Sequence, residues 1–208
     1  MIAPVLPPFV DLGGTAVFAL SGALLAARLN QTFVTCVFFA LLTGVGGGSV
    51  RDVLLGVPAF WLRDFWVAPV ILITALIAWF TPRKVWEGRD SWLEWADAMG
   101  LAVFSTLGVA KALAFDVAPL AAIILGVVTG CVGGIVRDMI AGVPSILMRP
   151  ELYVTAAALA SSLCGALILL GLQQEWAMAI AALAGFTLRG AAMVWRIELP
   201  AYSKEISD

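Results

Sequence analysis

Charged side chains stand in the most apolar parts of this chain, where a charge is costly. Arg51 and Asp52 lie in TGVGGGSVRDVLLGVP, residues 43–58, and Arg137 and Asp138 lie in TGCVGGIVRDMIAGVP, residues 129–144. Asp11 and Asp97 interrupt two further apolar runs. An ionisable group inside such a run costs a few kcal/mol on insertion scales and usually faces an opposite charge or a wet cavity. Carboxylates and arginines set among glycines suit the handling of a small ion or solute. They do not suit acid–base or nucleophilic catalysis, because the chain has no histidine, the usual general base and commonest metal ligand. Cys36, Cys131 and Cys164 sit singly in apolar stretches. They read as small buried residues, neither a disulfide framework nor a zinc site. No enzyme, no metal site and no cofactor is expected.

The elements that must hold these charges are membrane helices. The 208 residues are 62% hydrophobic and 12% charged, with a mean hydropathy of +1.02, far from the composition of soluble domains. Apolar runs of spanning length recur throughout. The net charge of −2 argues against a nucleic-acid partner, which needs a basic surface; membrane lipids are the expected surroundings. The N-terminus has no basic region of the kind that opens a cleaved signal. Apolar runs and polar breaks predict seven helices, near 7–27, 33–55, 65–81, 93–113, 118–141, 151–171 and 176–195, with loops too short to hold a soluble domain. The fold class is an all-α membrane protein forming one transmembrane domain, with a short tail over 196–208.

The two quoted stretches belong to a repeat. A constant shift of 86, without gaps, superposes Asp11, Gly14, Phe18 and Gly22 on Asp97, Gly100, Phe104 and Gly108. It continues through Thr43/Thr129, Gly44/Gly130, Gly47/Gly133, Gly48/Gly134, Arg51/Arg137, Asp52/Asp138, Gly56/Gly142 and Pro58/Pro144. Residues 7–81 and 93–171 are thus two copies of a three-helix unit, with the last helix appended. Three is an odd number of crossings, so the copies enter from opposite faces as inverted repeats. One face then collects Arg28, Arg83, Lys84, Arg89, Arg149, Arg196 and Lys204, and the other only Arg63 and Lys111. The positive-inside rule makes the first face cytoplasmic, with the N-terminus outside and the C-terminus inside.

Gly46, Gly47 and Gly48 fall near the middle of helix 2, and Gly130, Gly133 and Gly134 near the middle of helix 5. Two readings fit. Mid-depth glycines in inverted repeats can break their helices and expose backbone to a solute, or they can simply let helices pack closely. On the first reading helices 2 and 5 are glycine-broken and Thr43, Gly44, Thr129 and Gly130 join the pathway. Asp11 with Arg51 and Asp52, and Asp97 with Arg137 and Asp138, then form two charged mouths, roughly 8–12 Å from the midplane at 1.5 Å per residue. On the second reading they are buried pairs that lock helices together. Lys111 has no charged counterpart, since Leu25 occupies the equivalent position; it either snorkels to the outer headgroups or takes part in gating. Trp61, Trp66, Trp79, Trp86, Trp92 and Trp95 near helix ends read as an aromatic belt.

Seven helices, a 3+3 repeat plus one, and doubled GG-x-VRD and GVP motifs resemble the prokaryotic TRIC channels, the trimeric intracellular cation channels, over residues 7–196. Bacterial sequences of this kind are also grouped under a glycine-transporter domain. The resemblance implies a homotrimer in which each protomer holds a pore lined by helices 1, 2, 4 and 5. It implies permeation of K⁺ and Na⁺ past Gly46, Gly47, Gly48, Gly133 and Gly134. Eukaryotic members carry KEV on helix 4, where this chain has KAL at 111–113, so phosphoinositide control does not carry over. A bacterial copy belongs in the plasma membrane. The residues themselves leave a passive channel and a secondary transporter of a small solute such as glycine both open.

Overall fold

The computed structural model describes residues 8–82 and 92–200. They form seven α-helices: α1 (Pro8–Arg28), α2 (Phe33–Leu54), α3 (Val67–Phe80), α4 (Trp92–Ala114), α5 (Pro119–Ala141), α6 (Val154–Leu169) and α7 (Gln174–Trp195). Short 3-10 turns, Phe60–Leu62 and Ile146–Met148, precede α3 and α6. Local chemistry sets the ends. The Thr32 hydroxyl accepts from Thr35 N–H to cap α2, Pro119 stands where α5 has no N–H to satisfy, and Gly142 turns left-handed (φ 67°) after α5. Its counterpart Gly56 does the same after α2 (φ 69°).

The seven expected helices are present, with two differences. The third and sixth are short, 14 and 16 residues, or about 21 and 24 Å at 1.5 Å per residue. Five helices are long and apolar enough to cross a membrane, while Val67–Phe80 and Val154–Leu169 fall short of that length. The missing turns are spent in the 3-10 segments, which tie the loops to α2 and α5. Of the residues behind the expected orientation, Arg83, Lys84, Arg89 and Lys204 lie outside the described residues, as does Trp86.

The second difference concerns the glycines. Both α2 and α5 run through their glycine clusters as uninterrupted α-helix. The expected break is absent because the glycines face close neighbours instead of open space. A Cβ on Gly47 would collide with the Thr129 carbonyl oxygen, and one on Gly133 would lie 2.8 Å from the Thr43 carbonyl oxygen. Gly46 faces the Cα of Gly133. The small residues let α2 and α5 cross backbone to backbone, as small-xxx-small contacts do.

These contacts are reciprocal. Gly47 meets Thr129 while Gly133, its counterpart, meets Thr43, the counterpart of Thr129. Between α1 and α4 a Cβ on Gly14 would press on Phe104, and one on Gly100 on Phe18. Phe18 and Phe104 are themselves counterparts, buried with ring centroids 5.3 Å apart. Around this centre α1 and α2 pack on each other and on α3, and α4 and α5 pack on each other and on α6, while α7 lies against α4 and α6. The outer surface is apolar, with Phe65, Phe80, Met148 and Leu170 exposed, and the interior holds Arg51, Arg189 and Asp97. That distribution is the reverse of a soluble domain. Trp61, Trp66, Trp79 and Trp92 are exposed near helix ends, whereas Trp95 packs on Phe186 of α7.

Candidate ion pathway and its two charged clusters

Each repeat builds one buried charged cluster from the end of its second helix. In the first, Arg51 Nε donates to Asp52 Oδ1 at 2.7 Å, and both side chains are fully buried. The 3-10 turn returns beneath them, so that Phe60 N–H donates to Asp52 Oδ2 at 2.8 Å and the Phe60 ring lies under the guanidinium, 5.6 Å from its centroid. In the second, Arg137 Nε donates to Asp138 Oδ1 at 2.9 Å, and Ile146 N–H donates to Asp138 Oδ2 at 2.9 Å. Neighbouring residues on a helix point about 100° apart, so an Arg–Asp pair in sequence meets only when the long arginine curls back. The backbone N–H from the turn fixes the aspartate and makes that possible. GVP supplies the reversal in both copies.

The first helix of each repeat adds an acid. Asp97 Oδ1 accepts from Arg137 Nη1 at 2.5 Å, with both side chains at least 98% buried. Asp11 Oδ1 lies 3.5 Å from Arg51 Nη1 and is 16% exposed. The expected pairings are thus both formed, one tight and dry, the other long and partly wet. Arg137 Nη1 also donates to the Ser21 hydroxyl of α1 at 3.0 Å, stitching the second cluster to the first repeat.

Lys111 does not snorkel to the headgroups. It reaches from α4 into the first cluster, where its ammonium donates to Asp52 Oδ1 at 2.7 Å with its side chain 18% exposed. The cluster gathers two acids, Asp11 and Asp52, and two bases, Arg51 and Lys111, and is neutral. In the second, Asp97 and Asp138 face Arg137, and the place of Lys111 is taken by Leu25.

Thr43 and Thr129 are wholly buried. Their hydroxyls donate back to Phe39 O at 2.7 Å and Leu125 O at 2.6 Å. Each leans on a glycine of the preceding helix: a Cβ on Gly22 would lie 2.5 Å from Thr43 Oγ1, and one on Gly108 2.8 Å from Thr129 Oγ1. Gly44 rests on Thr15 and Ala19 of α1, and Gly130 on Ser105 and Leu101 of α4. Gly48 packs against Phe60 and Phe104, while Gly134 faces oxygens: the Tyr153 hydroxyl and Asp97 Oδ1.

Three polar residues beside the clusters escaped the sequence reading. Tyr153, at the start of α6, is 1% exposed. Arg189, in the last third of α7, is also 1% exposed, pairs through Nη2 with Glu151, and places its guanidinium 5.5 Å from the Tyr153 ring centroid. Arg189 carried a readable signal, since an arginine six residues from the end of an apolar span needs a partner. Tyr153 and Glu151 carried none, because α6 and α7 have no repeat relationship to reveal their contact. Among the described residues no group of three or more His, Cys, Asp or Glu is placed to hold a metal ion.

Comparison with known proteins adds the following. The family described as "Glycine transporter" matches twice, over residues 8–83 and 94–170, the two copies read from the sequence. A membrane protein of Vibrio cholerae is 38% identical over 93% of this chain and 82% of its own length. An inner membrane protein of Escherichia coli K12 is 34% identical over 94% of this chain and 95% of its own. Among solved structures, the TRIC trimeric intracellular cation channel orthologue from Rhodobacter sphaeroides superposes with a TM-score of 0.83 at 33% identity, covering 91% of this chain and 98% of that one.

Proposed function

The chain belongs to the glycine-transporter family of bacterial membrane proteins, which includes the prokaryotic TRIC proteins, and from that premise we propose that it is a cation channel of the inner membrane, with a pathway inside each protomer between α1, α2, α4 and α5. The observation that carries the reading is the pair of buried charged clusters on either side of the glycine crossing, all on those four helices. Buried charge of this density is tolerated in a membrane protein chiefly where it serves an ion route. K⁺ and Na⁺ are the proposed permeant ions, and a homotrimer, as in the Rhodobacter protein's description, is the proposed assembly.

The reciprocal contacts support the inverted arrangement. A contact in which i meets j′ while i′ meets j is the signature of a two-fold axis, and with an odd number of helices per copy that axis lies in the membrane plane. The proposed orientation remains N-terminus outside and C-terminus cytoplasmic. The glycines take a different role from a standing break. They form the waist at which α2 and α5 touch, and a modest separation there opens the pathway without displacing side chains. Thr43, Gly44, Gly46, Gly47, Gly48, Thr129, Gly130, Gly133 and Gly134 belong to this waist, and Asp11, Arg51, Asp52, Lys111, Asp97, Arg137 and Asp138 to its two mouths.

Recording from the purified protein in planar bilayers tests the reading. Unitary currents carried by K⁺ or Na⁺ are the expected result. Saturable, competable uptake of a small zwitterion with no unitary events refutes the channel and favours transport.

A further inference from the structure

The helix outside the repeat reaches the second cluster and not the first. Arg189 of α7 is buried, and its Nη2 donates to Glu151 Oε2 at 2.5 Å. Two residues further on, Tyr153 places its ring 5.5 Å from that guanidinium, and its N–H donates to the Glu151 carbonyl at 2.8 Å. The chain after α7 fastens the same loop. Leu199 N–H donates to Pro150 O at 2.7 Å, and the backbone of Glu198 pairs antiparallel with that of Glu151. In the first repeat Phe65 and Val67 stand in the places of Glu151 and Tyr153, so that cluster has no such attachment.

Tyr153 is a wedge. Its hydroxyl fills the space beside Gly134 of α5, where a Cβ would lie 2.6 Å from that oxygen and 3.0 Å from Asp97 Oδ1 of α4. The tyrosine thus stands between α4 and α5, behind the carboxylate that holds Arg137. The seat is costly. The Tyr153 hydroxyl and Arg189 Nε and Nη1 are buried without a hydrogen-bond partner among the described residues, and such groups regain partners when they open to water. The pairing of Arg189 with Glu151 offsets that cost. Glu151 is also within reach of solvent: it is 29% exposed and lines a cavity of about 460 Å³ with Glu94, Arg196 and Glu198.

We propose that these contacts form a latch on the second mouth: Arg189, held by Glu151, keeps Tyr153 wedged beside Gly134, and the wedge keeps Asp97 on Arg137. Arg189 and Glu151 are positioning residues that act through Tyr153 and touch no permeating ion. Releasing Glu151 from Arg189 frees the tyrosine, loosens α4 from α5 at that end and shifts the mouth from closed toward open. The inference rests on the channel reading for its effect on conduction. It gives α7 a task that the two three-helix copies leave unassigned, since one mouth is latched and the other, where Val67 stands, is not.

The test is single-channel recording of Glu151→Gln, with alkylation of Cys131 by N-ethylmaleimide as a second readout. Cys131 is buried in the same apolar cluster as Tyr153, whereas Cys36 is buried apart from it with Ala26 and Phe39 and serves as the internal reference in peptide mass spectra. Glu151→Gln is expected to raise the open-to-closed ratio about tenfold at unchanged unitary conductance, as the loss of one hydrogen bond to a charged group does. It is also expected to speed labelling of Cys131 and not of Cys36. Tyr153→Leu is expected to do the same, and the double variant no more than either single change, since both act through one contact. If Glu151→Gln fails to fold, Glu151→Asp, which keeps the charge and shortens its reach, is expected to show the same changes and decides. Effects that add in the double variant overturn the latch, as does faster labelling of both cysteines alike. Wild-type currents with neither readout altered in Glu151→Gln remove the latch and leave the channel. Faster labelling of Cys131 alone in both single variants, without currents in any of them or in wild type, keeps the latch and removes the channel.

Discussion

The two acid–arginine pairs between first and second helices occupy equivalent positions, yet the geometry predicts unequal worth. Asp97 and Arg137 are in contact at 2.5 Å and shielded from solvent. Replacing Asp97 by Asn leaves Arg137 held by Asp138 and Ser21 but removes a charge from a dry site, and breaking such a pair costs about 3–5 kcal/mol. Asp11 approaches Arg51 only to 3.5 Å and is partly exposed. Screening by water and the presence of Asp52 on the same guanidinium reduce its worth to about 1 kcal/mol or less. Asp97→Asn is therefore expected to destabilise the protein by at least about 2 kcal/mol more than Asp11→Asn. The assay is unfolding in mixed micelles with each single variant, plus Asp97→Asn/Arg137→Gln to close a double-mutant cycle. The double variant is expected to lose more than Asp97→Asn alone, since it also strips the buried Asp138 of its arginine, but less than the sum of the two single losses, because the two residues interact directly. Equal costs for the two aspartates, or strict additivity in the cycle, refute the argument from burial and distance.

Lys111→Met removes the ammonium from Asp52 and leaves the first cluster with one surplus negative charge; cation conductance in bilayers is expected to rise several-fold, and an unchanged conductance would show that Lys111 lies off the route. Gly47→Leu places a branched side chain against the Thr129 carbonyl, so conductance is expected to fall severely and stability to drop by about 1–3 kcal/mol; normal conductance in the surviving protein would assign the waist to packing alone. A reporter fused after residue 208 is expected to be active on the cytoplasmic side only, and periplasmic activity would reverse the orientation. Gly142→Ala, which forces a Cβ into a left-handed turn (φ 67°), is expected to cost about 1 kcal/mol in the same unfolding assay, without touching conductance.

Composition, hydropathy and an ungapped repeat were enough to read seven helices, their order and the pairing of Asp11 with Arg51 and Asp97 with Arg137. A repeat is legible because each matched residue vouches for another. The 3-10 turns at Phe60–Leu62 and Ile146–Met148 were less so: they lie in the repeat register, but their apolar residues blend into the helices that follow. The glycines misled for a physical reason. A weak helix former within a span is read as a break when considered alone, and only the opposing helix, Thr129 against Gly47, shows that the missing side chain makes room for a neighbour. Lys111 misled in a similar way. Snorkelling is the default for a lysine near a helix end, and nothing along α4 announces an aspartate waiting on α2. Arg189 lies on α7, outside the repeat, and Tyr153, just before α6, has Val67 as its counterpart, so no matched residue vouches for either.

The reciprocity at Phe18 and Phe104 has a consequence for how such a protein can vary. Two separate copies of a three-helix unit, joined face to face by a two-fold axis, would carry every substitution twice, so a lysine that suited one mouth would be forced on the other. A single polypeptide carrying both copies is free of that coupling. Leu25 and Lys111, and Val67 and Tyr153, are places where the halves differ, and each difference falls beside a charged cluster while the crossing at Gly47 and Gly133 stays matched. Joining the halves keeps the shared scaffold intact and lets the two ends of the route be tuned independently, giving the molecule a direction that a symmetric dimer cannot have.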